Sequence, residues 1–332
     1  VGKAIKFIVV LFLSIIIAGM TAWASLAIFY SNLADETMRT NIAIGFAACT
    51  GAAFIFIRKR LWVLIGYFII FCFLVAWWMN IKPSNDRNWQ PDVAILPYAT
   101  IQDSNITIHN IRNLTYRTET DFDIHYYDKT FDLNTLDSVD LIAVYWMGDA
   151  IAHIMMSFGF EDKDFVAFSI ETRKEKGEGY STIKGFFKQY ELIYIAGDER
   201  DLIRVRTNYR NPQEDVYLYR LKFNRDRAQR LFMEYIKQIN AMKEKPVWYN
   251  TLTTNCTTNI AMHVRTFSER IGYNWKILLS GYAPLYAYEI GVLDTSLPFP
   301  ELKKRSHVNS RAHGIGDDPE FSRKIREGLP KP

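Results

Sequence analysis

The stretch WYNTLTTNCTTNIAMHVR, residues 248–265, sets one cysteine among threonines and asparagines. The other two cysteines, Cys49 and Cys72, lie in apolar runs and read as small buried hydrophobes. A cysteine attacks as thiolate, and a helix N-terminus favours that charge through its unpaired N–H groups and macrodipole. Thr253, Thr254 and Asn255 are capping residue types directly before Cys256, so a helix is predicted to start at or just before it and to carry Ile260, Val264 and Phe267. The same N–H groups, flanked by Asn255 and Thr257, would stabilise an oxyanion on an attacked carbonyl. The pattern alone describes a small buried cysteine beside a polar cap equally well. A nucleophile also needs a base.

The chain has six histidines. His263 follows Cys256 on the same helix face but two turns on, roughly 10 Å along the axis and too far for a direct hydrogen bond. His307 and His313 fall in an irregular tail, and His109 and His125 lie in strand-like segments without an evident partner. His153 differs. In IAHIMMSFGF the alternation places Ile154, Met156, Phe158 and Phe160 on one face and His153, Met155 and Ser157 on the other. In FVAFSIETR it separates Val166, Phe168 and Ile170 from Ala167, Ser169 and Glu171. A hairpin turning at Glu161-Asp162-Lys163 would set His153 across from Glu171, the carboxylate orienting the imidazole as in a nucleophile–base–orienter triad. Glu171 would serve equally as an ion-pair partner of Arg173.

The elements around these residues read as α+β. ITIHNIRNLTY, FDIHYYDKTFDL, VDLIAVYWM, IAHIMMSFGF, FVAFSIETR and QYELIYIAG are rich in β-branched and aromatic residues and predict strands paired mostly antiparallel through short turns. NRDRAQRLFMEYIKQINAM, residues 224–242, predicts a helix capped by Asn224 with Leu231, Tyr235, Ile236 and Ile239 inward. The tail beyond Leu297 shows little periodicity and reads as an extended surface wrap. Arg173, Arg200, Arg204 and Arg206 have the forked geometry to hold a lipid phosphate, though Asp198, Glu199 and Asp201 among them favour a mixed ion-pair surface. No metal-ligand spacing and no glycine-rich phosphate loop is present, so no cofactor is expected.

The chain of 332 residues is 49% hydrophobic and carries a formal charge of +4. Residues 1–80 hold six of the 40 basic and two of the 36 acidic residues, which leaves 34 of each beyond them. No basic field invites nucleic acid. Three apolar segments, about 7–33, 40–57 and 61–81, make residues 1–81 a membrane region, since a bilayer core needs roughly 20 apolar residues as helix. The second is short and rich in small residues, and Arg39 and Arg58 would snorkel to its two interfaces. Lys3, Lys6 and the run Arg58-Lys59-Arg60 place the N-terminus and the second turn in the cytoplasm. After three spans, residues 82–332 would face the outer side of an inner membrane. In an oxidising compartment Cys256 has no intramolecular partner, so its thiol is inert, bonded to another chain, or reactive.

The runs YWMGDAIAHIMMSFGF, FSIETRKEKGEGYS, GFFKQYELIYIAGDERDLIRVRTNYR and PVWYNTLTTNCTTNI, in that order, resemble the periplasmic domain of the Lnb-type lipoprotein N-acyltransferases over residues 81–332. The resemblance implies a permuted papain-like (NlpC/P60-like) domain, with an antiparallel sheet packed on the cysteine-bearing helix and the histidine strand first. It implies Cys256 as nucleophile, His153 as base and Glu171 as its acid partner. The implied activity is acyl transfer from a membrane phospholipid, through a Cys256 thioester, to the N-terminal amine of a lipoprotein. The same Cys/His chemistry would serve a peptidoglycan amide hydrolase, a phospholipase or a thioesterase. A non-catalytic membrane protein that binds a partner through this domain is the third expectation.

Overall fold

The computed structural model describes residues 2–33, 35–268 and 271–332. It divides into two compact units: Val1–Ser84 with Ser181–Tyr190, and Asn85–Tyr180 with Glu191–Pro332.

The first unit holds α1 (Gly2–Phe29), α2 (Glu36–Phe56) and α3 (Arg60–Met79), all long and apolar enough to cross a membrane. With 21 residues, α2 is longer than the apolar segment that predicts it. Asp35 caps it by accepting from the Met38 N–H, and Glu36 suits the positive end of its dipole. The Thr21 hydroxyl on α1 meets the Tyr67 hydroxyl on α3 at 3.1 Å, and Trp23 packs edge-on against Trp78. Segment 181–190 joins this unit through Phe187, stacked on Tyr30, and through Lys188, whose ammonium donates to the carbonyls of Trp78, Met79 and Ile81 at the negative end of α3. Cys49 and Cys72 are exposed on the helix surfaces, not buried among side chains as their apolar runs suggest.

The second unit is built on a mixed sheet. Its strands are β1 (Tyr98–Gln102), β2 (Asn105–Arg112), β3 (Thr115–Tyr116), β4 (Phe122–Asp123), β5 (Tyr126–Asp132), β6 (Leu136–Tyr145), β7 (Ala152–Phe160), β8 (Asp164–Arg173) and β9 (Glu191–Gly197), followed by helix α4 (Glu199–Leu202) and strand β10 (Asp215–Arg220). Helices α5 (Arg225–Glu244), α6 (Cys256–Arg265), α7 (Trp275–Leu278), α8 (Ala283–Glu289), α9 (Phe299–Ser306), α10 (Asn309–Ile315) and α11 (Phe321–Lys324) complete it. The order is β1-β2-β9-β8-β7-β6-β10, with β5 also on β2 and β3 paired with β4 apart. All pairs are antiparallel except β2 with β9. β10 has no counterpart in the sequence reading: DVYLYR alternates, but its tyrosines blur the polar face.

Alternation along the central strands buries both faces. Phe158 and Phe168 project toward α5, where Phe232 and Tyr235 meet them edge to face. Met155, Ala167, Ile193 and Ile195 project the other way, onto Leu202, Val308, Ala312, Phe321 and Ile325. The residues after Leu297 are therefore neither extended nor a surface wrap. They form α9 to α11 and close the second face of the core, short amphipathic turns whose periodicity is too brief to register in sequence. Arg326 anchors them by donating to both oxygens of Glu199, at 2.6 and 2.7 Å, and to Asp140 at 2.8 Å. Arg220 also pairs with Asp140, and the Ser157 hydroxyl donates to Glu199.

Candidate active site

Cys256 is the first residue of α6. Asn255 caps the helix by accepting from the Thr258 N–H, while the Thr258 hydroxyl accepts from the Asn255 N–H. The Asn255 amide also donates to the Thr251 carbonyl, so its side chain is spent on holding the helix start. Thr257 is buried, with its hydroxyl 3.8 Å from the Cys256 sulfur. Burial pushes the Cys256 thiol above its ordinary range, and the backbone N–H of Ile154, the Thr257 hydroxyl and the backbone at Thr257 and Cys256 offset it only in part. The helix terminus is where the sequence places it; the activated resting thiolate is not.

The Ile154 N–H belongs to the peptide that follows His153. β7 and β8 pair from Met155 with Ser169 to Phe160 with Asp164, around a turn in which Glu161 and Asp162 have φ of 53° and 51°. This register sets position 171 opposite position 153, just beyond the end of the ladder. The His153 Nε2 lies 2.7 Å from the Ser169 hydroxyl and 3.6 Å from Glu171. Ser169 donates to Glu171 at 2.6 Å, and its single proton is thereby used. Nε2 must therefore carry the imidazole proton and donate to Ser169. That tautomer leaves the lone pair on Nδ1, and no hydrogen bond among the described residues engages it.

Arg206, from the single π-turn Val205–Tyr209, donates to Glu171 at 3.0 Å. Burial alone would raise the Glu171 carboxyl, but the Arg206 cation, then His153 and Arg112, holds it well below the usual carboxylate range. Burial, followed by the Arg206 cation, presses His153 down to about 3 against the help of Glu171. At neutral pH the set is a neutral thiol, a neutral imidazole, a relaying serine and an ionised carboxylate.

The remaining expected residues lie elsewhere. Arg173 donates to the carbonyls of Val93 and Ala94 and to Asn85, and stacks on Trp89. Arg200 pairs with Asp198, and Arg204 with Asp317 and the Tyr209 hydroxyl. These partners take most of the donors that the sequence reading offers to a phosphate, while Arg204 Nε has no hydrogen-bond partner among the described residues. His263 is buried and bonded to the Tyr194 hydroxyl, His109 bonds Asp128, and His307 bonds Asp215. Ser169 and Arg206 both donate to Glu171, contacts that the sequence reading does not assign to them. Ser169 shares its strand face with Glu171, two residues away, which is the signal that was there to read.

Behind the thiol, the fully buried Tyr235 ring packs 4.9 Å from the ring of His263, and the Cys256 charge is felt at its hydroxyl. That hydroxyl has no hydrogen-bond partner among the described residues. A desolvated, unpartnered hydroxyl costs about 1–3 kcal/mol, so Tyr235→Phe is expected to raise stability by about 1 kcal/mol. Thermal unfolding of the full-length protein checks this; a lowered midpoint would mean that the hydroxyl has a partner in solution.

A cavity of about 90 Å³ adjoins the site, walled by Ile154 on β7, Thr257, Ile260, Ala261 and Val264 on α6, and Ala283 and Ala287 on α8. No group of side chains among the described residues has the makings of a metal site.

The family described as the Lnb N-terminal periplasmic domain matches residues 123–286, which include His153, Ser169, Glu171, Arg206 and Cys256. No curated protein and no solved structure matches the chain. The match begins in β4 and ends in α8, and so covers the strands and the helix that carry these residues. The periplasmic-domain resemblance that the sequence carries is thus met by this family over residues 123–286.

Proposed function

We propose that this protein is a membrane-anchored thiol acyltransferase that moves a fatty acyl group from a phospholipid to the N-terminal amine of a lipoprotein. The reading is carried by Cys256 at the capped start of α6 together with the His153 imidazole, oriented by Ser169 and Glu171, on the strand whose Ile154 backbone acts on the thiol. His153 Nδ1 takes the thiol proton as sulfur attacks the ester carbonyl. The Ile154, Cys256 and Thr257 N–H groups stabilise the oxyanion, with Asn255 fixing the helix start. The ester C–O bond breaks, the lysophospholipid leaves with the proton from the imidazolium, and a thioester remains. The lipoprotein amine then attacks the thioester, gives its proton to His153, and forms an amide as the C–S bond breaks. The returning thiolate takes that proton back.

The order of histidine strand before cysteine helix, with α6 packed on the sheet, supports a permuted papain-like fold. The C-terminal ends of α1 and α3 both meet segment 187–189, which supports a return crossing by α2 and a three-span anchor in the inner membrane. The catalytic unit then faces the periplasm, where its lipid substrates lie in the adjoining leaflet.

Intact-mass measurement of the purified protein with phospholipid tests this reading. Wild type is expected to gain a fatty-acyl mass that hydroxylamine and a lipoprotein amine both release, and Cys256→Ser to gain none. An adduct released by water as fast as by amine would make the protein a hydrolase. No adduct at all would overturn the enzymatic reading.

A further inference from the structure

We infer that the cavity beside Cys256 is an acyl-chain site, in which the hydrocarbon tail of the thioester lies along α6 between that helix and α8. The inference rests on the acyl-transfer reading and names where the chain goes. The cavity is lined by Thr257, the residue after the nucleophile, and by Ile154, whose backbone acts on the Cys256 thiol. From there its wall follows α6 through Ile260, Ala261 and Val264 to Phe267. The span from Thr257 to Phe267 is roughly 15 Å at the helical rise, the length of an extended fatty tail and not of a headgroup.

Three alanines open the space. Ala261 on α6 faces a wall that includes Ala283 and Ala287 on α8, all three nearly inaccessible to solvent. Larger side chains there would close it. On α7, Ile277 lines the cavity while Trp275 and, just past the helix, Leu279 stand in solvent. An apolar interior that continues into exposed apolar side chains suits a tail arriving from a lipid surface.

The test uses the full-length protein in detergent with two acyl donors, p-nitrophenyl butyrate and p-nitrophenyl palmitate. Filling the cavity with Ala261→Phe or Ala287→Phe is expected to slow palmitoyl-adduct formation at least about tenfold while leaving butyryl-adduct formation within about twofold. Equal slowing with both donors, or with neither, overturns the site. A second arm does not depend on turnover: palmitic acid carrying a terminal diazirine is photocrosslinked to Cys256→Ser, and the labelled peptides are mapped. Labels within 257–267 and 283–292 that vanish when Ala261→Phe is added support the site, and labels unaffected by it overturn the site. If the label maps to the cavity but wild type forms no adduct with either ester, the acyl site stands and the transfer reading falls.

Discussion

Replacing His153 with glutamine is expected to slow acyl-enzyme formation at neutral pH by about 10²–10⁴-fold, the usual worth of a positioned base. Burial holds the Cys256 thiol above its ordinary range, so almost no thiolate is present before substrate binds. Proton removal must accompany attack, and the acyl-transfer reading assigns that proton to the unengaged Nδ1 of His153. Two features separate this from a structural effect. The glutamine variant should recover rate as pH rises toward the ionisation of the thiol, where solvent base replaces the imidazole. In wild type the base is lost only when the imidazole is protonated, so the acid limb of the rate profile should lie near about 3, well below the ordinary histidine value. Rates of adduct formation with p-nitrophenyl butyrate across pH check both. A glutamine variant as fast as wild type at neutral pH would remove His153 from the mechanism. Ser169→Ala should fall between the two, because it frees the Nε2 proton to choose either nitrogen.

Arg326→Ala is expected to destabilise the fold by about 3–5 kcal/mol, since it leaves two carboxylates buried without their cation. Asp140 and Glu199 are fully or almost fully inaccessible, and Arg326 makes charge-assisted hydrogen bonds to both. Arg220 still reaches Asp140, so most of the loss should come from Glu199. The combined variant Arg326→Met with Glu199→Gln should recover part of it by removing the stranded charge. Denaturant unfolding of the full-length protein measures the series. A change under about 0.5 kcal/mol for Arg326→Ala, the level of an ordinary surface substitution, would mean that the C-terminal helices are not fastened by this pair.

The His153 strand was legible from its apolar run, but both its faces are buried. Alternation therefore leaves Ile170, Glu171 or Thr172 opposite His153, and it is the turn at Glu161 and Asp162 that settles the register on Glu171. Helices α5 and α6 were legible from their caps, Asn224 and Asn255, and from inward residues at helical spacing. The electrostatics were not. Arg206 is distant from Glu171 in sequence, and only the tertiary fold shows that its cation answers the carboxylate and weakens the imidazole as a base. Arg200 and Arg204 pair with neighbouring acids, in keeping with a mixed ion-pair surface, while Arg173 holds backbone carbonyls, a partner that only the folded chain supplies. The last helices were illegible for a different reason. Each is about two turns or shorter, and its stability comes from the core it covers rather than from its own pattern.

The grouping of Ser181–Tyr190 with the membrane helices means that the polypeptide passes between the two units three times, at 84/85, 180/181 and 190/191. The middle excursion interrupts the β8–β9 connection, and β8 carries both Ser169 and Glu171. A fragment that begins at Asn85 would therefore keep every residue of the site and still lose the surroundings of this loop. Phe187, packed here against Trp23 and Tyr30, would be stranded in water along with the lysine that now closes the end of α3. Excising the sheet unit cleanly calls for three cuts and a rejoined turn, not one truncation.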